Sequence, residues 1–340
     1  MRRSKGRCIW LAFATWCVVS GCVALAQTEP AAVVDISLED MTAGMTADED
    51  LTVTWAWKLA GEDAAGQTLL DAAMRGDNLI LLLGKDRYMT VWCFDSDGDA
   101  IWHTVLPPEI AGAQVALAID DNEQILVAAT AQRDALAIAG EIANEAYLAT
   151  LDGAGNIVSQ VRVLPSFYLS PRLAGTIGLS LEVTDVQWDV EGDLYLAGAL
   201  WVPHGDGKYA APFLAKVDDE GDTYWSQLPA PDAPHLLDTD TANFQVIASE
   251  KTILLVGSTR ASLEGPNQGQ TDVFLMGCDL AGELEWWYQQ HGSAGADDVL
   301  AARADGVGGC YIVGRTEGDL AKPLVGRSDG FILHCNSEGA

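Results

Sequence analysis

T-D-V-F-L-M-G-C-D-L-A-G-E-L-E-W-W-Y-Q-Q-H-G-S-A-G-A-D-D-V-L-A-A-R-A-D-G-V-G-G-C-Y-I-V-G-R-T, residues Thr271 to Thr316, contains four short apolar runs separated by turn residues. Each run has the length of a strand, and none is long enough for an ordinary helix. An Asp-x-x-Gly turn (Asp279 to Gly282) joins the first two runs, and a Gly-rich turn (Asp305 to Gly309) joins the last two. The unit predicts a four-stranded antiparallel sheet, and how often it recurs decides the fold.

It recurs along the whole chain. The Asp-x-x-Gly turn returns as Asp95-Ser-Asp-Gly98, Asp152-Gly-Ala-Gly155 and Asp218-Asp-Glu-Gly221, and, with Asn for Asp, as Asn336-Ser-Glu-Gly339. An aromatic follows the Gly by four residues at Trp102, Trp225 and Trp286, while Ser159 breaks the pattern in the second copy. The closing Y-I-V-G run reappears at Leu81 to Gly84, Val127 to Ala129, Leu196 to Gly198 and Leu255 to Gly257, which makes five copies spaced by 45 to 69 residues. Self-similarity on this scale implies a solenoid or a propeller.

The two ends favour the propeller. The last copy stops at Asn336-Ser-Glu-Gly339-Ala340, just after its turn and without a Trp-bearing strand. Leu51-Thr-Val-Thr-Trp55-Ala-Trp57 through Gly61 matches the missing strand, Leu284 to Gly292 of the template, including the six-residue step from Trp to Gly. A closed propeller splits a repeat this way to bind its first strand into its last blade and remove an exposed edge. The expected fold is all-β: a β-propeller of five four-stranded blades at about 66–106, 113–163, 182–228, 243–290 and 297–340, the last completed by the strand near 51–60. Inner strands such as Phe244 to Ala248 and Asp298 to Ala304 are rich in small and β-branched residues, as crowding near an axis requires. The outer-strand Trp is expected to pack between neighbouring blades.

Ahead of the propeller, Arg2, Arg3, Lys5 and Arg7 precede the apolar run Ile9 to Val19, the pattern of an export signal over residues 1–21. Two processing readings stand. Val19-Ser20-Gly21-Cys22 resembles a bacterial lipobox, with Cys22 lipidated and Val23 after it disfavouring retention at the inner membrane; Ala24-Leu25-Ala26 suits ordinary cleavage before Gln27. Residues 22–50, rich in Ala, Thr, Asp and Glu, read as a flexible tether, and 51–340 as a single propeller domain. Removing residues 1–21 takes four of the 19 basic residues and none of the 49 acidic ones, leaving 15 against 49, a formal charge of −34. Such a surface repels phosphate backbones and anionic head groups, so nucleic acid is excluded as an expected partner and membrane contact is expected through the lipid anchor alone. Cys93, Cys278, Cys310 and Cys335 remain in the folded part, too few for a disulfide scaffold and without a C-x-x-C motif.

With these residues laid out, the fourth and fifth copies resemble the bacterial SBBP-type β-propeller repeat. The pieces that carry the likeness are Gly257-Ser-Thr259, Thr271-Asp272-Val-Phe274-Leu275, Asp279-x-x-Gly282 with Trp286, then Asp297-Asp298 and Asp305, and again Gly314-Arg-Thr316-Glu-Gly318 to Asp329-Gly-Phe331. Phe213 to Asp218 and Trp225 match in the third copy, and the first two match in outline. The resemblance implies an extracytoplasmic propeller without shared catalytic residues or a settled ligand. Members of that family are often seven-bladed, so five copies are a departure.

The turns after inner strands and at Asp-x-x-Gly are short. The opposite connections are long, at 131–145, 164–180, 199–211, 229–242, 260–270 and 317–328, and long loops on a rigid scaffold are where binding concentrates. Within them Trp201, His204, Asp206, Tyr209 and His235 form the candidate ligand-binding set, suited to stacking on a sugar or gripping a peptide; the alternative is aromatics packing on their own blade. Asp95, Asp97 and Asp99 alternate around a Gly turn and could supply oxygens to calcium, yet Asp152 and Asp279 build the same turn without the extra acids. No other cofactor is expected. Cys310 and Cys335 are the disulfide candidate, since antiparallel pairing would bring them opposite each other.

No catalytic set is visible: neither a Ser, His and Asp group nor Gly-x-Ser-x-Gly occurs. The expected function is therefore non-enzymatic, a monomeric lipoprotein propeller of the outer membrane or cell surface, alternatively periplasmic or secreted, that binds or scaffolds an envelope protein or glycan. A five-bladed glycosidase using Glu182 and Asp298 as axial carboxylates is the enzymatic alternative. A lipoprotein scaffold for outer-membrane protein assembly is the third reading.

Overall fold

Neighbours in sequence are neighbours in each sheet, so every blade is an antiparallel meander. The computed structural model describes residues 34–35, 57–58, 68–107 and 115–336, apart from short loop stretches of which 133–139, 229–242 and 261–266 are the longest. The protein is all-β and carries the five blades of a β-propeller. One helical turn, Pro171–Ala174, is the only helix among the described residues.

Two compact units divide the chain, Met1–Pro107 and Pro108–Ala340. The first unit holds blade one, β3 (Thr68–Arg75), β4 (Asn78–Lys85), β5 (Tyr88–Phe94) and β6 (Ala100–Val105), and a short pair, β1 (Val34–Asp35) with β2 (Trp57–Lys58). The second unit holds the other four. Blade two is β7 (Val115–Ile119), β8 (Ile125–Gln132), β9 (Asn144–Leu151) and β10 (Ile157–Val163); blade three is β11 (Ser180–Trp188), β12 (Leu194–His204), β13 (Gly207–Val217) and β14 (Thr223–Gln227). Blade four is β15 (Gln245–Ala248), β16 (Ile253–Thr259), β17 (Asp272–Cys278) and β18 (Leu284–Gln289); blade five is β19 (Asp297–Ala304), β20 (Cys310–Thr316) and β21 (Asp329–Cys335).

Blade five thus has three strands among the described residues. The closing strand expected near 51–60 lies outside them except for β2, which pairs with β1. The export segment, Cys22 and most of the tether also lie outside. Within the segment read as a tether, Val34–Asp35 pairs with β2 as a two-residue strand.

In the second unit the core lies between successive blades. Along β12, Leu194, Leu196, Leu200 and Val202 pack with Leu126 and Leu148 of blade two, while Tyr195, Ala197 and Trp201 pack with Leu255 and Phe274 of blade four. β17 repeats the alternation one blade on, Phe274 and Met276 facing blade three and Val273 and Leu275 facing blade five. Middle strands are therefore buried on both faces, which is why they read as continuous apolar runs rather than as an alternation.

The Gly that ends each second-strand run has a partner. Gly198, Gly257 and Gly314 stand directly across the ladder from Phe213, Phe274 and Phe331. The rings lie over the space a side chain would take: a Cβ on Gly257 would come 2.5 Å from Phe244 and 2.9 Å from Phe274, and one on Gly314 would come 2.2 Å from Phe331. In blades one and two the cross-strand pairs are Gly84 with Met89 and Ala129 with Tyr147.

Inner strands have a ladder partner on one side only, so half of their amides need another acceptor. The preceding blade supplies it. Val183 N donates to Thr130 Oγ1 at 3.0 Å, Val246 N to Asp185 Oδ2 at 2.9 Å, Ala248 N to Gln187 Oε1 at 2.7 Å and Val299 N to Ser258 Oγ at 2.7 Å. Bulges at Val183/Asp185 and Val299/Ala301 occur in the same inner strands.

One hydrogen-bond pattern closes the turns. In the Asp279 turn, Oδ1 accepts the amides of Ala281 and Glu283, and Gly282 N donates to the Asp279 carbonyl with φ at +82°. The bond to the amide four residues on and the Gly N to Asp carbonyl bond recur at Asp95, Asp152 and Asp218 between third and fourth strands. The bond to the amide four residues on also recurs at Asp120, Asp189 and Asp305 between first and second strands, a generality beyond the sequence reading. The outer-strand Trp uses the next blade's turn as expected: Trp225 Nε1 donates to Leu280 O at 3.1 Å, and its indole lies 2.5 Å from where a Cβ on Gly282 would stand.

One expectation is corrected. Residues 199–211, read as a long loop, form the distal half of a hairpin in which His204 pairs with Gly207. Pro203, Gly205, Asp206 and Gly207 made the segment look irregular, but alternating burial against two neighbouring blades extends both strands to eleven residues.

Candidate functional site

Two clefts open in the second unit, both beside long connections. One of about 230 Å³ lies between blades two and three and is lined by Ile142, Leu164, Pro165, Phe167 and Leu169 with Glu141 at its edge. The other, about 500 Å³, lies between blades four and five and is lined by Gln270, Gly295, Glu317, Gly318, Asp319 and Leu324. A single backbone device sits at each. The residue entering a third strand region bridges in parallel to the approach of the next inner strand, Ile142 with Leu179 and Thr271 with Ala296. One cleft is thus apolar and the other acidic.

The sequence-derived ligand set is divided by the β12–β13 hairpin. Trp201 pairs with Ala210 and Val202 with Tyr209, so the two aromatics lie on opposite sides of the sheet, 4% and 3% exposed, in different core clusters. The Trp201 indole donates to Glu182 Oε2, and Lys208 Nζ lies 3.8 Å from its ring centroid. His204 ends β12, while Asp206 and His235 lie outside the described residues.

At the calcium candidate, Asp95 Oδ1 accepts the amides of Asp97 and Asp99, each at 2.9 Å, the same bonds that close the Asp152 and Asp279 turns. Among the described residues no three His, Cys, Asp or Glu side chains are grouped to hold a metal. Of the two carboxylates in the glycosidase reading, Glu182 accepts the Trp201 indole. Asp298 accepts Thr271 Oγ1 at 2.9 Å and Arg315 Nη2 at 3.1 Å.

Cys310 and Cys335 are directly paired across β20 and β21, and both are buried. Their thiols are in hydrogen-bond contact. That contact and burial push Cys310 up, and the same bond brings Cys335 below the ordinary thiol range. In an oxidising compartment an incoming disulfide donor would take both thiol protons and two electrons, leaving the Sγ–Sγ bond. Thiol titration of protein isolated from its own compartment, denatured without reductant, is expected to find Cys93 and Cys278 free and this pair silent. Four reactive thiols would refute the pairing.

Sequence reasoning missed two charged sites. Lys216 Nζ lies 2.8 Å from Asp189 Oδ2 and 3.0 Å from Asp193 Oδ2, all three side chains largely buried at the turn end of blade three. Asp272 and Asp297 are both 0% exposed at the starts of β17 and β19. The available signal for the second was position: each Asp opens a strand of the repeat, as Asp329 does one blade later.

No family model matches the chain, and no curated relative matches it. Solved structures are similar at the level of the fold. A xylan β-1,4-xylosidase from Bacillus halodurans C-125 is 11% identical with a TM-score of 0.41, over 78% of this chain and 52% of that one. The Pan2 WD40 domain from Neurospora crassa is 12% identical with a TM-score of 0.42, over 81% and 71%. A PL25 ulvan lyase is 11% identical with a TM-score of 0.43, over 79% and 68%. The chain spans about half the length of the xylosidase. Likeness of this degree does not choose among hydrolase, lyase and binding domain.

Proposed function

We propose that this chain is a non-enzymatic, exported SBBP-type propeller, anchored through a lipidated Cys22, that binds an envelope protein or glycan with the side of its blades carrying the long connections. The observation that carries the reading is the asymmetry of the blades. Asp-closed turns trim one end, and both clefts open beside the long connections at the other.

The test is quantitative capture of envelope proteins and glycans by the purified mature chain, with an Arg placed in each cleft. Glu141→Arg and Glu317→Arg reverse charge and fill space, and are expected to weaken the captured interaction about tenfold, roughly 1.4 kcal/mol. Glu220→Arg, on the Asp218 turn, is expected to leave it unchanged. Loss in the turn variant with retention in both cleft variants would overturn the choice of surface. Turnover of a captured glycan would overturn the non-enzymatic reading. Membrane partitioning that survives Cys22→Ala would remove the anchor.

A further inference from the structure

One cross-strand position recurs in all five blades, where the start of the second strand meets the end of the third. In blades one to four it is filled by Leu79 and Phe94, Ile125 and Leu151, Leu194 and Val217, and Ile253 and Cys278. Blade five alone sets two thiols there, Cys310 and Cys335. Packing at this position therefore does not require a thiol pair, and the pair calls for a chemical reason. The two cysteines also differ from each other. Cys310 begins β20 and is 0% exposed, whereas Cys335 ends β21 and is 5% exposed. The bond between the thiols, with burial, raises Cys310 and leaves the proton there, while the same bond brings Cys335 below the ordinary thiol value. The charge of His334, one residue before Cys335, acts in the same direction. His334 holds the place that Lys216 has in blade three: each stands across the ladder from a tyrosine, Tyr311 or Tyr195, and each reaches the Asp of the first turn. Its Nε2 lies 2.9 Å from Asp305 Oδ2. Among the described residues β21 has a ladder partner on one side only, and strand ends open at lower free energy than strand centres, which gives an incoming group access to Cys335.

We propose that Cys310 and Cys335 are a redox-active dithiol that exchanges with the disulfides of other molecules, Cys335 being the attacking thiol and Cys310 the resolving one. The Cys335 thiolate attacks one sulfur of an incoming R–S–S–R. A mixed disulfide forms, the R–S–S–R bond breaks, and the departing thiolate takes up the proton that Cys335 gave away. Cys310 then attacks Cys335 Sγ, the Sγ–Sγ bond forms, and the second thiolate leaves with the Cys310 proton. Two electrons and two protons thus pass from the pair to the incoming disulfide, and two external thiols reverse the sequence. A permanent staple would form once and stay, whereas this pair moves between two states. It lies at the turn end of its blade, so its chemistry is independent of whatever partner the long connections bind.

The experiment equilibrates the native full mature chain in buffers of varied glutathione to glutathione disulfide ratio, then quenches in acid, denatures, alkylates and weighs the products. Cys310 and Cys335 are expected to become silent together and reversibly across the series, while Cys93 and Cys278 stay alkylated throughout. A pair oxidised at every ratio would overturn the proposal in favour of a permanent disulfide, and a pair reduced at every ratio would overturn it outright. Cys310→Ala is expected to accumulate one glutathione on Cys335, and Cys335→Ala to take up none on the enclosed Cys310. The opposite result would overturn the two roles. His334→Gln is expected to slow the attack on glutathione disulfide about threefold at pH 7, with the rates converging at a pH where the thiol is ionised in both proteins. Equal slowing at every pH would overturn the part given to His334. Should a cysteine variant fail to fold, the equilibrium in the parent chain decides alone.

Discussion

Gly198→Ala is expected to destabilise the protein by about 3 kcal/mol, a large effect for a single methyl group. The added Cβ would stand 2.0 Å from the Glu182 carbonyl oxygen and 2.7 Å from the Phe213 ring. The first is backbone of the paired inner strand and cannot rotate away. The second is a fully buried ring in the core between blades two and three. Gly84→Ala is the internal control: its closest neighbour is Leu70 Cδ1 at 2.7 Å, the end of a flexible side chain, so a cost nearer 1 kcal/mol is expected. Urea unfolding of both variants, followed by tryptophan fluorescence, compares them directly. Equal costs would mean that the inner and second strands of blade three are not so closely appressed.

Lys216→Met is expected to cost about 3 kcal/mol, although methionine matches lysine in length. The side chain is 12% exposed, and its ammonium is shared between Asp189 and Asp193, which are 11% and 20% exposed. Removing it leaves two largely enclosed carboxylates facing each other. Desolvation by itself would lower the Lys216 pKa, but its bonds to the two carboxylates outweigh burial and raise it above the ordinary 10.5. A raised pKa means that the contribution is complete below 10.5 and is lost as pH climbs through the higher folded value. The deficit of the variant is therefore expected to be constant across neutral pH. The double change Lys216→Met with Asp193→Asn is expected to recover part of the loss, and thermal melting of the single and double variants checks this. A double variant no better than the single one would show that only the packing of the lysine stem matters.

Much of the architecture was legible because the repeated residues have local duties. Between third and fourth strands, an Asp whose oxygen takes the amide four residues on and a Gly at positive φ recur together at Asp95, Asp152, Asp218 and Asp279, so blade limits could be read to within a few residues. The Gly of the second strand was legible as a mark but not as a cause, because its partner Phe lies 15 to 17 residues away across a loop of varying length. The candidate site was less accessible. Trp201 and Tyr209 are eight positions apart in a stretch full of loop residues, and only the ladder reveals that they face opposite neighbours. Asp272 and Asp297 were two among 49 acids, and burial, which sequence does not display at a strand's first residue, is what separates them from the rest.

The side-chain bonds between inner strands bear on how such a protein could have grown. From blade two to blade five of the second unit they run in one direction, each inner strand giving an amide to a side chain of the blade before it. A duplicated blade would bring both halves of the fastening with it, an amide for its predecessor and an acceptor for its successor. Gene segments of one-blade length could thus be copied in without redesigning either neighbour. Blades three and four show the tolerance this allows: where Ser258 or Thr130 would be matched by Ala199, the bulge residues Thr184 and Asp185 make the fastening instead.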